Sequence, residues 1–279
     1  MDTITTLQPP TTPSRLPAAT VRTAFVALLA RDLTVLWKRP GDFIARTIVQ
    51  PLLFVFVLGY VSPKIGQGFS DSTSATQIAT TLLAGMLAIV TLFQGVFAVG
   101  MPLIQEFGYT REIEDRVLSP LPVGIVAVAK VIAGALQGLL ATLVVFPLAM
   151  LVPSARPDLD VHWAVLLTLA PLAALMCSSL GLFLGTAFDA RSVTAVFAIL
   201  LTPLMFLGCT LYPWSTLDAI PWVQALSLVN PVTYVSEGFR AAVTPAHHLT
   251  LLVIYPVLIG FTGLLLWQGL HHFRRRVIA

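Results

Sequence analysis

Long apolar runs broken by short polar segments dominate the chain. Runs free or nearly free of charge occur at residues 43–61, 78–104, 123–152, 161–188, 192–212 and 249–270. Each is close to or above the roughly 20 residues that a helix needs to cross about 30 Å of hydrocarbon. The pattern therefore predicts an all-α polytopic membrane protein with six transmembrane helices. Arg46 falls near the start of the first run and Lys130 within the third. A long basic side chain close to a helix end can reach the interface, so both mark the same membrane face.

The segments between the runs carry a different pattern. Between residues 23 and 40, Phe25, Leu28, Leu29, Leu33, Leu36 and Trp37 recur at three- and four-residue steps, with Arg22, Arg31, Asp32, Lys38 and Arg39 among or beside them. That spacing predicts an amphipathic helix over residues 22–41 lying in the cytoplasmic interface. A water-exposed helix packed on the first cytoplasmic loop is the alternative. Residues 1–21, with Pro9, Pro10, Pro13 and Pro17 among many threonines, read as a disordered cytoplasmic tail. Residues 111–122 hold five charges in their first six positions and cannot enter lipid. Arg111 with Asp115, and Glu112 with Arg116, are i,i+4 pairs that support a short helix. Residues 213–240 contain two runs that begin like helices, at Pro221 and at Asn230-Pro231, with proline at a first helical position and asparagine as a cap. Both are too short to span and too apolar for a free loop, which predicts short outer helices that dip into the outer leaflet or cap the bundle.

Composition agrees with a membrane class. Of 279 residues, 57% are hydrophobic and 10% charged, against about one quarter charged in a soluble domain. Mean hydropathy is +0.88. A net charge of +3 is too small and too scattered for a nucleic-acid surface. The placement of charge is more informative than its sum. With the amino terminus inside, Arg15, Arg22, Arg31, Lys38, Arg39, Arg46, Arg111, Arg116, Lys130, Arg191, Arg274, Arg275 and Arg276 are cytoplasmic. Lys64, Arg156 and Arg240 are then outside, a count of 13 against 3. Cytoplasmic enrichment of Lys and Arg sets orientation, so both termini are expected in the cytoplasm.

The chemistry that is missing narrows the function. No phosphate-binding loop, dinucleotide fingerprint, zinc-hydrolase or serine-nucleophile motif occurs. No Asp or Glu lies inside the six runs, which argues against a carrier driven by an intramembrane carboxylate, although ions can also be held by unwound backbone. Adjacent histidines at His247-His248 and His271-His272 point about 100° apart on a helix and chelate poorly. Cys177 and Cys209 fall at different depths and read as two buried thiols. Gly134-x-x-x-Gly138 and Gly181-x-x-x-Gly185 permit close helix approach, within the subunit or at a dimer seam.

The whole organisation resembles the ABC-2 type permeases, the membrane subunits of ATP-binding-cassette exporters. The stretch Glu106-Phe-Gly-Tyr-Thr-Arg-Glu-Ile-Glu-Asp-Arg-Val-Leu-Ser-Pro-Leu-Pro122 is similar to the loop that family places between its second and third spans. Gly208-Cys-Thr-Leu-Tyr-Pro213, Ile220-Pro-Trp222, Asn230-Pro-Val-Thr-Tyr234 and Glu237-Gly-Phe-Arg240 resemble its signature before the last span. The amphipathic helix ahead of the first span matches too.

The resemblance implies a transmembrane domain over residues 22–279, a cytoplasmic ABC ATPase partner, and a second permease subunit in a homodimer or heterodimer. ATP and magnesium would sit on the ATPase, with no cofactor or metal on this chain and no enzymatic site. Residues 106–122 would form the coupling loop, with Arg111, Glu112, Glu114, Asp115 and Arg116 contacting the ATPase. Asn230, Pro231, Tyr234, Glu237 and Arg240, on the outer helices of residues 213–240, would form or support an exit gate; a structural Glu–Arg pair on a capped helix is the other reading. The short chain looks most like the daunorubicin-resistance exporters of the inner, plasma membrane, moving an amphiphilic drug or lipid-like substrate outward. Polysaccharide and lipid-linked glycan exporters share its length and motifs, and a stand-alone secondary transporter is the more distant alternative.

Overall fold

Most of the apolar runs fold as helices close to where the hydropathy places them. The computed structural model describes residues 18–38, 41, 49, 53, 55–61, 72–107, 123–151, 157–188 and 193–278, and every regular element among them is helical. In chain order the α-helices are α1 (Ala18–Lys38), α2 (Ser72–Gln105), α3 (Val123–Leu151), α4 (Trp163–Ala187), α5 (Val193–Phe206), α6 (Pro221–Ser227), α7 (Pro231–Val243) and α8 (Leu251–Ile278). A π-helical segment, Val55–Val61, and a 3-10 turn, Trp214–Ala219, complete the list of described elements.

Four helices carry apolar stretches long enough to cross a membrane: Ala79–Gln105, Gly124–Leu148, Trp163–Ala187 and Leu251–Arg276. At 1.5 Å per residue even the shortest, 25 residues, covers about 38 Å. The protein is thus a multi-pass membrane protein, with four spans among the described residues where the sequence predicts six. The fifth run is present as α5 but runs for 14 residues, about 21 Å. It stops at Phe206 because the chain reverses at Cys209, whose φ of 52° is in the left-handed region. Of the first run only Val55–Val61 and a few single positions are described, and the rest lies outside the described residues.

At the amino-terminal end, α1 presents Ala24, Phe25, Leu28 and Leu29 half-buried while Val26, Ala27 and Ala30 are exposed, as the sequence periodicity requires. It leans on α3. The helix begins at Ala18, so residues 18–21, expected in the disordered tail, are its first turn. Pro17 ends immediately before it, and Ala18-Ala19-Thr20-Val21 offers nothing that breaks a helix.

The bundle is organised around α4, which packs on α2, α3 and α8 and also touches α7 and α5. From Leu169 to Thr186, α4 is buried at all positions but Pro171, Leu172, Leu175 and Phe183. Small residues let the neighbours approach. A Cβ on Gly181 would stand 2.6 Å from the Val96 carbonyl oxygen of α2, and one on Gly185 would stand 3.2 Å from Gly100. A Cβ on Gly134 of α3 would meet Val99 of α2 at 2.4 Å. Both glycine pairs singled out in the sequence therefore serve packing inside the subunit. Van der Waals contact and shape, rather than water exclusion, hold helices together in lipid, so these close approaches fix the relative heights of α2, α3 and α4.

Candidate functional site

The segment after α5 carries the most unusual local structure, because it turns non-helical backbone inside the bundle. Such backbone is tolerated at membrane depth only where other protein groups satisfy it. The chain supplies those groups from one short helix. α7 is amphipathic in composition, with Asn230 at its cap followed by Thr233, Tyr234, Ser236, Glu237 and Arg240, yet all of its residues are buried. It is inserted against α2, α4 and α8. The two short helices expected within residues 213–240 are present but unequal: α6 is exposed, with Trp222 and the following Val229 about 70% accessible, whereas α7 is part of the core.

Each polar side chain of α7 meets a backbone group of the irregular segments. Asn230 accepts from the Val232 amide at 3.0 Å, capping the helix, and donates to the Leu204 carbonyl of α5 at 2.8 Å. Pro231 occupies the first helical position, where its missing amide is not needed. Thr233 donates to the Ser227 carbonyl at 2.6 Å, and the Tyr234 hydroxyl to the Leu228 carbonyl at 2.8 Å. Ser236 donates to the Cys209 carbonyl at 2.8 Å, directly at the left-handed residue.

Glu237 and Arg240 form the centre of this arrangement. They are one turn apart and pair through Glu237 Oε1 and Arg240 Nη1, with both side chains essentially inaccessible. Glu237 Oε1 also accepts the Trp214 amide at 2.9 Å, and Oε2 accepts the Leu249 amide at 2.9 Å. Arg240 Nη2 donates to the carbonyls of Cys209 at 3.2 Å and Tyr212 at 3.5 Å. One ion pair thus ties together the reversal at Cys209, the start of the 3-10 turn and the entry into α8.

The far end of α7 is secured as well. Its last carbonyls, on Ala242 and Val243, accept the amides of His162 at 2.9 Å and Asp160 at 3.2 Å. The Asp158 amide in turn donates to Thr80 of α2 at 2.8 Å.

The arrangement is a fixed polar hub that holds an unwound segment against the bundle. Of the two readings the sequence left for Asn230, Pro231, Tyr234, Glu237 and Arg240, the structure displays the capped helix and the Glu–Arg pair directly. The sequence did not single out Ser236 or Gly85. Gly85 matters because the Thr210 carbonyl lies where its Cβ would be, 1.5 Å from that position. The closest signal available was the run of hydroxyl and charged residues on a helix flanked by apolar spans.

Elsewhere, Lys130 pairs with Glu106 at 2.7 Å, joining α3 to the residue that follows α2. Arg111, Glu112, Glu114, Asp115 and Arg116 lie outside the described residues. Cys177 and Cys209 are both free and buried. Among the described residues no group of three or more His, Cys, Asp or Glu is placed to hold a metal ion.

Comparison with known proteins adds the family context. Residues 23–244 match the sequence profile described as ABC-2 type transporter. The inner membrane transport permease YadH of Escherichia coli K12 is 30% identical over 158 residues, which cover 55% of this chain and 58% of that protein. The YadH of Shigella flexneri gives the same figures. A putative transport permease of Pyropia yezoensis, ycf38, is 24% identical over 222 residues, covering 77% of this chain and 72% of that one. The matched segment spans somewhat more than half the length of the YadH relatives.

Proposed function

Because the chain belongs to the ABC-2 type transporter family, whose members are membrane permeases, we propose that it is the transmembrane subunit of an ATP-binding-cassette exporter. It works with a separate cytoplasmic ATPase and a second permease subunit, and both termini face the cytoplasm of a plasma membrane. The substrate class is an amphiphilic drug or lipid-like molecule moved outward. ATP and magnesium belong to the partner.

The observation that carries this reading is the state of Glu237. Its oxygens accept Arg240 and the amides of Trp214 and Leu249, and Glu106, the buried carboxylate directly after the span Ala79–Gln105, is paired with Lys130 at 2.7 Å. Both buried carboxylates are thus engaged with donors of this chain. The four described spans contain no Asp or Glu of their own. Energy delivered from outside the membrane fits this chain better than a proton relay through it.

In the proposed cycle, ATP binding draws two ATPases together, and residues 106–122 pass that motion to the bundles. Interfaces with two stable packings convert it into alternating access. The hub on α7 keeps the exit-side segment rigid while the helices around it tilt.

Charge reversal supplies the test. In the full chain expressed in its native host, Glu112→Lys with Glu114→Lys is expected to abolish co-purification of the ATPase while leaving the amount of permease in the membrane unchanged. Retained association together with retained transport in that double variant would overturn the coupling assignment.

A further inference from the structure

The described residues nearest in sequence to residues 108–122, which the proposed function gives to the ATPase, are Phe107, two residues past α2, and Val123-Gly124 at the start of α3. Both roots are held by the last turns of α8. The Phe107 ring meets Phe273 edge to face, with centroids 5.6 Å apart, and the Arg276 guanidinium lies 5.6 Å from the centre of the same ring. On the other side, Arg274 lies across Gly124, so that a Cβ there would stand 3.1 Å from its Nη2. Phe273 is buried, and it belongs to a small core with Val99, Leu103, Ala127, Val131 and Leu182 that is separate from the main one.

The opposite end of the same helix begins beside the polar hub. The Leu249 amide, two residues before α8, donates to Glu237 Oε2 at 2.9 Å. Between these ends α8 runs for 28 residues, about 42 Å. It is laid along α4, and hydrogen bonds join the two helices near both ends, Tyr255 with Thr168 at 2.6 Å and Thr186 with the Gly269 carbonyl at 3.4 Å.

From this juxtaposition we infer that α8 is the strut that connects the loop roots to the Glu237–Arg240 hub, with Phe273 and Arg276 as its positioning residues. The inference deepens the permease reading and rests on it for the origin of the force. The physical content is specific. Phe273 fills a core shared by α2, α3 and α4, and Arg276 adds a cation–π contact that holds the Phe107 ring against it. A displacement of either root therefore cannot occur without moving the end of α8. The other end of α8 can move only by shifting the Leu249 amide relative to Glu237, whose remaining partners fix the reversal at Cys209. Coupling over such a distance requires packed contacts that are continuous from one site to the other, and here each link is present.

The test uses the full chain in lipid nanodiscs and needs neither ATPase nor substrate. Hydrogen exchange is followed in peptides containing the Trp214 and Leu249 amides, the two backbone donors to Glu237, and in peptides at 104–107 and 123–127. Phe273→Ala and Arg276→Gln are expected to speed exchange at Trp214 and Leu249 about tenfold, and Arg276→Lys, which keeps the cation over the ring, to restore the native rate. Exchange that quickens only at 104–107 and 123–127, with Trp214 and Leu249 at the native rate, would overturn the strut. Arg276→Gln removes no core volume, so it carries the test if Phe273→Ala fails to fold. A failed strut with an ATPase still co-purifying leaves the permease reading standing. A working strut in a chain that binds no ATPase refutes the permease reading alone.

Discussion

Replacing Arg240 with methionine is expected to destabilise the protein by about 3–5 kcal/mol, the range for removing one partner of a buried ion pair. The guanidinium is wholly buried and interacts with Glu237 and with the carbonyls of Cys209 and Tyr212. Without it, Glu237 keeps a buried charge with only the Trp214 and Leu249 amides as donors, and Cys209 keeps only the Ser236 hydroxyl. In thermal unfolding of the purified full chain the single variant should melt on the order of 10 °C lower. The double variant Glu237→Met with Arg240→Met removes both charges together and should recover a large part of that loss, because an uncompensated charge is worse than none. An Arg240→Met protein that melts with the native one would show that the pair holds nothing.

The second large effect is expected at Gly85. A Cβ there would fall 1.5 Å from the Thr210 carbonyl oxygen and 2.6 Å from its carbon, and both are backbone atoms that cannot rotate aside. Gly85→Ala must push the 208–212 segment away from α2, breaking the geometry at Cys209 that Ser236 and Arg240 maintain. Overpacking of a tight core usually costs about 1–3 kcal/mol. A clash with the Thr210 backbone, next to the left-handed Cys209, should reach the top of that range, and transport should fall with it. Gly260 and Gly263 of α8 provide internal controls, since nothing lies within 4 Å of a Cβ at either. Alanine there should be neutral or stabilising by up to about 1 kcal/mol through helix propensity. Equal melting temperatures for Gly85→Ala and Gly260→Ala would refute the close approach.

These two sites mark how far the sequence can be read. Helices α2, α3, α4 and α8 were legible because an apolar run of membrane length admits few structures. The start of α7 was legible too, since Asn230-Pro231 is a local cap signal. What was not legible depends on residues remote in sequence. Glu237 binds backbone 23 and 12 positions away, at Trp214 and Leu249, and backbone donors have no signature in a residue pattern. The short α5 was hidden because hydropathy continues through Leu207 and Leu211 after the helix ends; only the left-handed Cys209 reveals the reversal. The partner of Lys130 was not legible either, since a run of apolar neighbours does not reveal that Glu106, just after α2, comes within 2.7 Å. The glycine pairs could be read as contact positions but not assigned to a partner helix without coordinates.

The hub also bears on how such a permease could work. In the proposed cycle, irregular backbone tied by Ser236, Glu237 and Arg240 moves as one piece while the helices around it tilt. The proposed strut would receive that motion at the other end of α8, where Phe107, Phe273 and Arg276 meet.

The central claim, that this chain is the nucleotide-free half of an ATP-driven exporter, is tested most directly by purifying the tagged chain from its native host in mild detergent and identifying what co-elutes in stoichiometric amount. The account predicts a soluble protein carrying a phosphate-binding loop, whose ATPase activity responds to added amphiphiles. A chain that is reproducibly alone, and that transports in liposomes on an ion gradient without ATP, would contradict it.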